Sequence, residues 1–195
     1  MNNNTERVLE LFRQSGAYLE GHFRLTSGMH SPEYMQCALV LQHPQYAEIL
    51  GQKLASGFRK LEPLRNIDVV VSPAMGGLII GHEVGRALNA RHIFTERVDG
   101  KMALRRGFTV KPGDTAVVVE DVITTGGSTL EVVELLKQSS VRVVGAGSII
   151  DRSGGRADVS VPRIALGTMH VVSYGPEQCP LCAQGIPVVK PGSRS

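Results

Sequence analysis

The 195-residue sequence has no tryptophan and few other aromatics, four tyrosines and five phenylalanines, so its core has to be aliphatic. Three cysteines are an odd number and too few for a disulfide framework, which excludes the small stapled secreted folds. No apolar run approaches the ~20 residues that span a bilayer. The opening MNNNTERVLELF has no basic segment followed by an apolar one, so neither a membrane span nor a secretory signal is expected, and the cytoplasm is the expected location. Excess charge of one sign is also missing: 21 Lys and Arg against 18 Asp and Glu leave +3, and the basic residues are dispersed. That argues against nucleic acid as a partner and leaves an anionic small substrate open. What remains, 42% hydrophobic and 20% charged, is an ordinary globular composition, long enough for one domain with a full core.

The hydrophobic pattern alternates between helix and strand. Val8, Leu11 and Phe12 mark a helix over 5–15, and Gly, Ser and Pro then break 16–36 into short strands and turns. Pro44 suits a first helical turn, and Ala47, Leu50, Leu54, Phe58 and Leu61 share one face, which predicts a helix over 44–61. Strands are expected at Ile67–Val71, Ile93-Phe94, Ala116–Val119 and Val141–Ile150. Helices are expected from Gly76-Gly77 through Leu88 and over Ser128–Lys137, the latter turning Leu130, Val133 and Leu136 inward. The stretch 96–111 is polar and basic and reads as a loop without core residues, of a length often used as a lid. Strands alternating with helices, and valine runs without polar alternation, predict an α/β fold with a central parallel sheet flanked by helices. From Pro176 the composition turns proline-rich without helical period. The division is therefore a domain over 1–175 and an extended tail over 176–195, lying on the domain or on a partner subunit.

The most informative segment is Val117-Val118-Val119-Glu120-Asp121-Val122-Ile123-Thr124-Thr125-Gly126-Gly127-Ser128. A buried strand delivers two carboxylates at its carboxyl end, where ligands bind in open α/β sheets. The following loop offers amides, a helix N-terminus and three hydroxyls, a donor surface for a phosphate, while Gly126 and Gly127 permit close approach and positive φ. Carboxylates beside a phosphate site make sense if they accept hydrogen bonds from a vicinal diol, as on ribose. The segment thus reads as a ribose-5-phosphate cradle, against the plainer reading of a solvated turn whose acids cap the next helix. It is not a Walker A loop, because no Gly-Lys-Ser/Thr is present.

This segment resembles the PRPP-binding signature of the type I phosphoribosyltransferases. Leu25-Thr26-Ser27-Gly28-Met29-His30-Ser31-Pro32, Ser72-Pro73-Ala74-Met75-Gly76-Gly77 and Asp151-Arg152 make the chain similar to the orotate branch of that family, from about Gly16 to Tyr174. The resemblance implies a central parallel sheet with a small hood region. It also implies transfer of the 5-phosphoribosyl group from PRPP to orotate, giving orotidine 5′-monophosphate and pyrophosphate in pyrimidine biosynthesis. Mg²⁺ is expected on the pyrophosphate and ribose oxygens. A homodimer is expected in which a mobile loop of one subunit closes on the other's site.

Residue by residue, the resemblance gives PRPP binding to Glu120 through Ser128 (Glu120, Asp121, Val122, Ile123, Thr124, Thr125, Gly126, Gly127, Ser128) with Arg97 and Lys101. It gives orotate to Thr124, Arg152, Tyr34 and Met35, and catalysis to Lys101 with Asp121 and Glu120. Cations that clamp the departing pyrophosphate stabilise an oxocarbenium-like transition state, and Arg105 and Arg106 are further candidates. Plainer alternatives stay open: a solvated basic loop for 96–111, a surface ion pair for Arg152, simple packing for Tyr34 and Met35. Other readings are transfer to a different nucleobase, a PRPP-binding regulator on the same fold, and a catalytically weak binding protein.

The chain departs from the family's pattern in four places. Thr26 and Gly76 stand where lysines are common, and the basic loop lacks the usual histidine; Arg24 or His22 are possible substitutes. Cys179-Pro180-Leu181-Cys182 is the fourth. CxxC is half of a tetrahedral zinc site, and a two-fold dimer joining two halves would hold half a zinc per chain; ordinary thiols are the alternative. His22, His30, His43, His82, His92 and His170 show no HxH or HxxxH spacing, so no ligand role is expected of them.

Overall fold

The computed structural model describes residues 3–25, 27–63, 66–169 and 172–191; Thr26 and His170 lie outside the described residues. The chain begins with α1 (Asn3–Gln14) and a two-stranded antiparallel hairpin of β1 (Tyr18–Arg24) and β2 (His30–Met35). The short α2 (Cys37–Leu41) and the long α3 (Pro44–Leu61) follow. Then come β3 (Val69–Pro73), α4 (Gly77–Leu88), β4 (Arg91–Val98), β5 (Lys101–Leu104), β6 (Thr115–Ile123), α5 (Gly127–Gln138), β7 (Arg142–Asp151) and β8 (Arg163–Thr168). The last described segment holds a 3-10 turn (Pro176–Gln178) and a single-turn helix, α6 (Pro180–Ala183).

The main sheet has six strands in the order β5-β4-β3-β6-β7-β8. All neighbours are parallel except β5, which is antiparallel to β4. The valine runs have a direct structural cause. Successive strand residues point to opposite faces, so Val70, Val117, Val119 and Ile149 enter a core with residues of α1, α3 and α4. Val69, Val71, Ala116, Val118 and Ala146 enter a second core under Val132, Val133 and Leu136 of α5. A sheet covered on both faces needs apolar residues at every position, as the sequence predicts. On β7 a Cβ at Gly147 would lie 2.6 Å from Cζ of the fully buried Phe58, so α3 packs directly on the strand backbone.

Three expectations need correction. The polar stretch 96–111 is not a loop without core residues. Its first part pairs as a β4–β5 hairpin with Val98 opposite Lys101 and Thr95 opposite Leu104. Met102 is buried, and Leu104, Phe108 and Val110 pack against the second core. The tail is not extended throughout: a 3-10 turn and α6 come first, and after α6 it runs beside β1, with Val189 N donating to His22 O (2.8 Å) and Arg24 N donating to Val189 O (2.8 Å). Finally, β8 and α2 were not foreseen, because short elements with partly buried faces lack a clear period. No helix among the described residues is long and apolar enough to cross a membrane.

Candidate active site

From β3 the chain crosses to β4 on one side, and from β6 to β7 on the other. The loops after β3 and β6 therefore diverge and leave a crevice beyond the carboxyl ends of the two central strands, where doubly wound sheets bind ligands. A cavity of about 1400 Å³ opens there. One wall is built from the ends of β3, β6 and β7, with Gly76, Asp121, Thr124, Thr125, Ser128, Arg152, Ser153 and Arg156. The hood hairpin and the tail supply the other, with Arg24, Ser27, Tyr34 and Lys190.

The loop between β6 and α5 is shaped by Gly126, whose φ of 85° lies in the left-handed region, and a Cβ there would sit 3.0 Å from Val159 Cγ1. α5 then starts with its free amides next to Thr124, Thr125 and Ser128. The two acids before the loop are adjacent on a strand and so point apart. Asp121 lines the cavity. Glu120 accepts a 2.5 Å hydrogen bond from Oγ1 of the buried Thr129 on α5. Asp121 Oδ1 accepts from Val122 N at 2.9 Å, yet burial pushes its carboxyl above the ordinary aspartate value, the backbone donor opposing. Gly76 backs against this carboxyl: a Cβ would lie 2.5 Å from Asp121 Oδ1.

Arg152 begins the loop after β7 and donates its backbone N–H to Ile123 O at 2.8 Å, which places it beside the end of β6. Its guanidinium lies 5.9 Å from the centroid of the Tyr34 ring, a cation–π contact that joins the hood to the sheet. Among the described residues the guanidinium makes no hydrogen bond or ion pair, so the alternative of a surface salt bridge is not observed. Burial pulls its pKa down; the guanidinium stays a cation. The preceding Asp151 is buried and spoken for: it pairs with Arg163 (3.2 Å) and accepts from Ser153 N (2.7 Å) and Oγ (2.6 Å). Ser153 Oγ in turn accepts from the backbone of Arg156 and Ala157, so the loop that carries Arg152 and Arg156 is held from beneath.

Other expected residues fall elsewhere. Met35 does not reach the cavity; it is 5% exposed and packs in the first core, because its neighbour Tyr34 takes the opposite face of β2. Arg97 and Lys101 do not line the cavity of their own chain. Arg97 forms a two-pronged pair with Glu131 (3.1 Å each) and Arg106 pairs with Glu96 (2.8 Å). The reason is topological: β5 is the sheet's edge, separated from β6 by β4 and β3. Cations that sequence reasoning missed or only touched on are Arg24, Arg156 and Lys190. Arg156 had a signal, the Gly-rich basic run Arg152-Ser153-Gly154-Gly155-Arg156; Lys190 had none, since only the folded tail brings it here.

Two of the histidines meet the tail cysteines in a way that no HxH or HxxxH spacing announces. His22, His30, Cys179 and Cys182 come together within one chain, their ligand atoms all within 4.8 Å of one another. Two half-sites from two subunits are therefore not required. His22 is turned to this cluster and does not line the cavity.

A doubly wound sheet, an acid-hydroxyl-glycine loop after its central strand and a hood hairpin facing that loop together define a type I phosphoribosyltransferase. The family model for the phosphoribosyl transferase domain matches residues 40–164. The orotate phosphoribosyltransferase of Pelotomaculum thermopropionicum is 55% identical over 189 residues, covering 97% of each chain. That of Thermotoga petrophila is 52% identical over 187 residues, covering 96% of this chain and 98% of its own. The chain belongs to the orotate phosphoribosyltransferase family. Among solved structures, the orotate phosphoribosyltransferase of Aeropyrum pernix superposes with a TM-score of 0.67 at 23% identity, over 83% of this chain and 93% of that one. The adenine phosphoribosyltransferase of Saccharomyces cerevisiae gives 0.66 at 16%, over 81% and 99%. The fold is thus shared between enzymes named for different bases.

Proposed function

We infer that this enzyme transfers the 5-phosphoribosyl group of PRPP to orotate, giving orotidine 5′-monophosphate and pyrophosphate in pyrimidine biosynthesis in the cytoplasm. One observation carries the reading: across one cavity, a cradle of Asp121, Thr124, Thr125 and Ser128 faces Arg152, a cation without an anionic partner among the described residues, laid against the face of Tyr34. The amides and hydroxyls of 124–128 at the start of α5 take the 5-phosphate. Asp121, with Glu120 behind it, accepts from the ribose diol. Arg152 takes the orotate carboxylate with its planar fork, and Tyr34 covers the pyrimidine face. A purine acceptor would give Arg152 no carboxylate to meet, which favours orotate over the other bases. The modest charge of +3 gives no support to a nucleic-acid-binding regulator.

The C1′–O bond to pyrophosphate breaks with its electron pair on the leaving oxygen, and the bond from orotate N1 to C1′ forms as N1 gives up its proton to the departing pyrophosphate or to solvent. Positive charge grows on the ribose ring and negative charge on the leaving group. Arg24, Arg156 and Lys190, which line the cavity, are placed to steady the latter. Among the described residues Asp121 is the one carboxylate in the lining. A single carboxylate beside hydroxyls fits Mg²⁺ that enters on the substrate's phosphates better than an ion caged by protein. Asp121 is the residue that would help to hold Mg²⁺ there, and the ion would supply neutralisation of the pyrophosphate charge. Lys101 and Arg97 act in a homodimer, each β4–β5 hairpin reaching the partner's cavity.

The test is turnover: loss of orotate absorbance with PRPP and Mg²⁺, with adenine, hypoxanthine and uracil as alternative acceptors. Orotate consumption with little turnover of the others is expected. Turnover of a purine in preference to orotate would sink the assignment.

A further inference from the structure

The tail poses a physical problem. Of its described residues, 176–191, only Cys179 is buried, while Ile186, Val188 and Val189 are 40%, 46% and 56% exposed. So little apolar burial does not hold a proline-rich segment in one place. Nor is the two-stranded hairpin beneath it stable on its own account. Yet the two are joined at a point that buries polar groups: His22 is 3% exposed, His30 6% and Cys179 3%. Cys182 completes the group from the solvent side.

Hydrogen bonding alone does not satisfy this cluster. His22 Nδ1 lies 2.7 Å from Ile186 O, so it carries the proton and donates, leaving Nε2 one lone pair. That single lone pair faces His30 Nδ1 at 2.8 Å, Cys179 Sγ at 3.5 Å and Cys182 Sγ at 3.7 Å. A cation at the centre resolves the conflict, because it accepts all four donors. The distances fit. With Zn–S of about 2.3 Å and Zn–N of about 2.0 Å, a tetrahedral site has S···N edges of ~3.5 Å and N···N edges of ~3.3 Å. Three of the four S···N separations, including Cys182 Sγ to His30 Nδ1 at 3.3 Å, bracket that edge; the N···N separation needs to open by a few tenths of an ångström, and all four ligand atoms lie within 4.8 Å of one another, so the ion has to draw the widest pair inward. The carbonyl of Ile186 is the kind of outer partner that fixes a ligating imidazole's tautomer.

We propose that His22, His30, Cys179 and Cys182 form an intrachain structural zinc site that clasps the tail to the hood hairpin, separate from any Mg²⁺ at the active site. Two thiolates and two neutral imidazoles select a borderline-soft tetrahedral ion over Mg²⁺, and binding releases two thiol protons to solvent. The clasp has a consequence for the cavity. Beyond it the tail pairs with β1 through Val189 and delivers Lys190 to the cavity rim beside Arg24.

The test uses the full chain, freed of any affinity tag and grown with zinc. Metal analysis is expected to find one zinc per chain. The metal-free, reduced chain titrated with Co²⁺ without oxygen should saturate at one equivalent, with thiolate charge-transfer absorption and the d–d bands of a tetrahedral site. Cys182→Ser and His22→Gln should each weaken zinc binding tenfold or more, whereas Cys37→Ser, whose thiol is buried elsewhere, should not. Chelation should lower the melting temperature of the parent and leave that of Cys182→Ser unmoved. Half an equivalent per chain would restore the two-subunit arrangement and overturn this one. Cobalt binding indifferent to His22→Gln, or a reduced parent chain that takes up neither metal, would overturn the proposal as well. Because the cobalt titration is read on the parent chain, a variant that fails to fold leaves the result decisive.

Discussion

Replacing Gly76 by alanine places a methyl carbon 2.5 Å from Asp121 Oδ1 and 2.7 Å from both its Cγ and Oδ2. An ordinary C···O contact is about 3.3 Å, so the carboxyl has to retreat by close to an ångström. The backbone at Gly76 has φ −57° and ψ −38°, a conformation alanine adopts freely, so the perturbation acts on Asp121 and not on the chain path. A misplacement of that size in a positioning group costs roughly 10²-fold, or about 2.7 kcal/mol of transition-state binding. The expected outcome is a hundredfold fall in kcat/KM for PRPP with a melting temperature close to that of the parent. The decisive measurement is a double-mutant cycle with Asp121→Ala. Once the carboxyl is gone the added methyl has nothing to displace, and Gly76→Ala should then have almost no further effect. An equal loss in both backgrounds, or a Gly76→Ala enzyme within threefold of the parent, would refute the reasoning.

Arg152→Gln removes a charge-assisted contact of ~1.5–3 kcal/mol, so the KM for orotate should rise ten- to a hundredfold with the KM for PRPP little changed; a shift confined to PRPP would remove Arg152 from the acceptor site. Lys101→Ala should lower kcat more than PRPP affinity, and unaltered kcat would take the hairpin out of the reaction. Burial, with His82 nearby, lowers His92 to about 4 from its ordinary 6.5. The imidazole is therefore neutral when folded and takes up a proton on unfolding below pH 6.5, so its stability contribution is full above 6.5 and is lost as the pH falls toward 4. Melting curves across that range should flatten in His92→Gln, and an unchanged slope would assign the acid sensitivity to other groups.

Much of the sheet was legible because its signal is local. Helices 44–61 and 77–88 and the β6 run announce themselves through period and punctuation, and the cradle lies within a dozen consecutive residues. What escaped depends on distance in the chain. His22 and His30 sit on paired strands, and their cysteine partners lie some 150 residues further on, so no spacing rule finds them. Lys190 reaches the cavity only after the tail has paired with Val189 against β1. The hairpin within 96–111 is hard to read because one buried methionine in a four-residue strand, Lys101–Leu104, is too short a pattern to distinguish an edge strand from a loop.

The two cores have a bearing on how the enzyme tolerates change. Ala116 and Val118 serve one side of β6, Val117 and Val119 the other, and all four are small aliphatics. A slip of one residue in that strand would exchange them, at a packing cost of about 1–3 kcal/mol where alanine and valine trade places. It would also present Glu120 to the ligand and turn Asp121 toward Thr129. Insertions and deletions in β6 should therefore spare folding sooner than activity: odd parity silences the enzyme while the barrel-free scaffold around it still assembles.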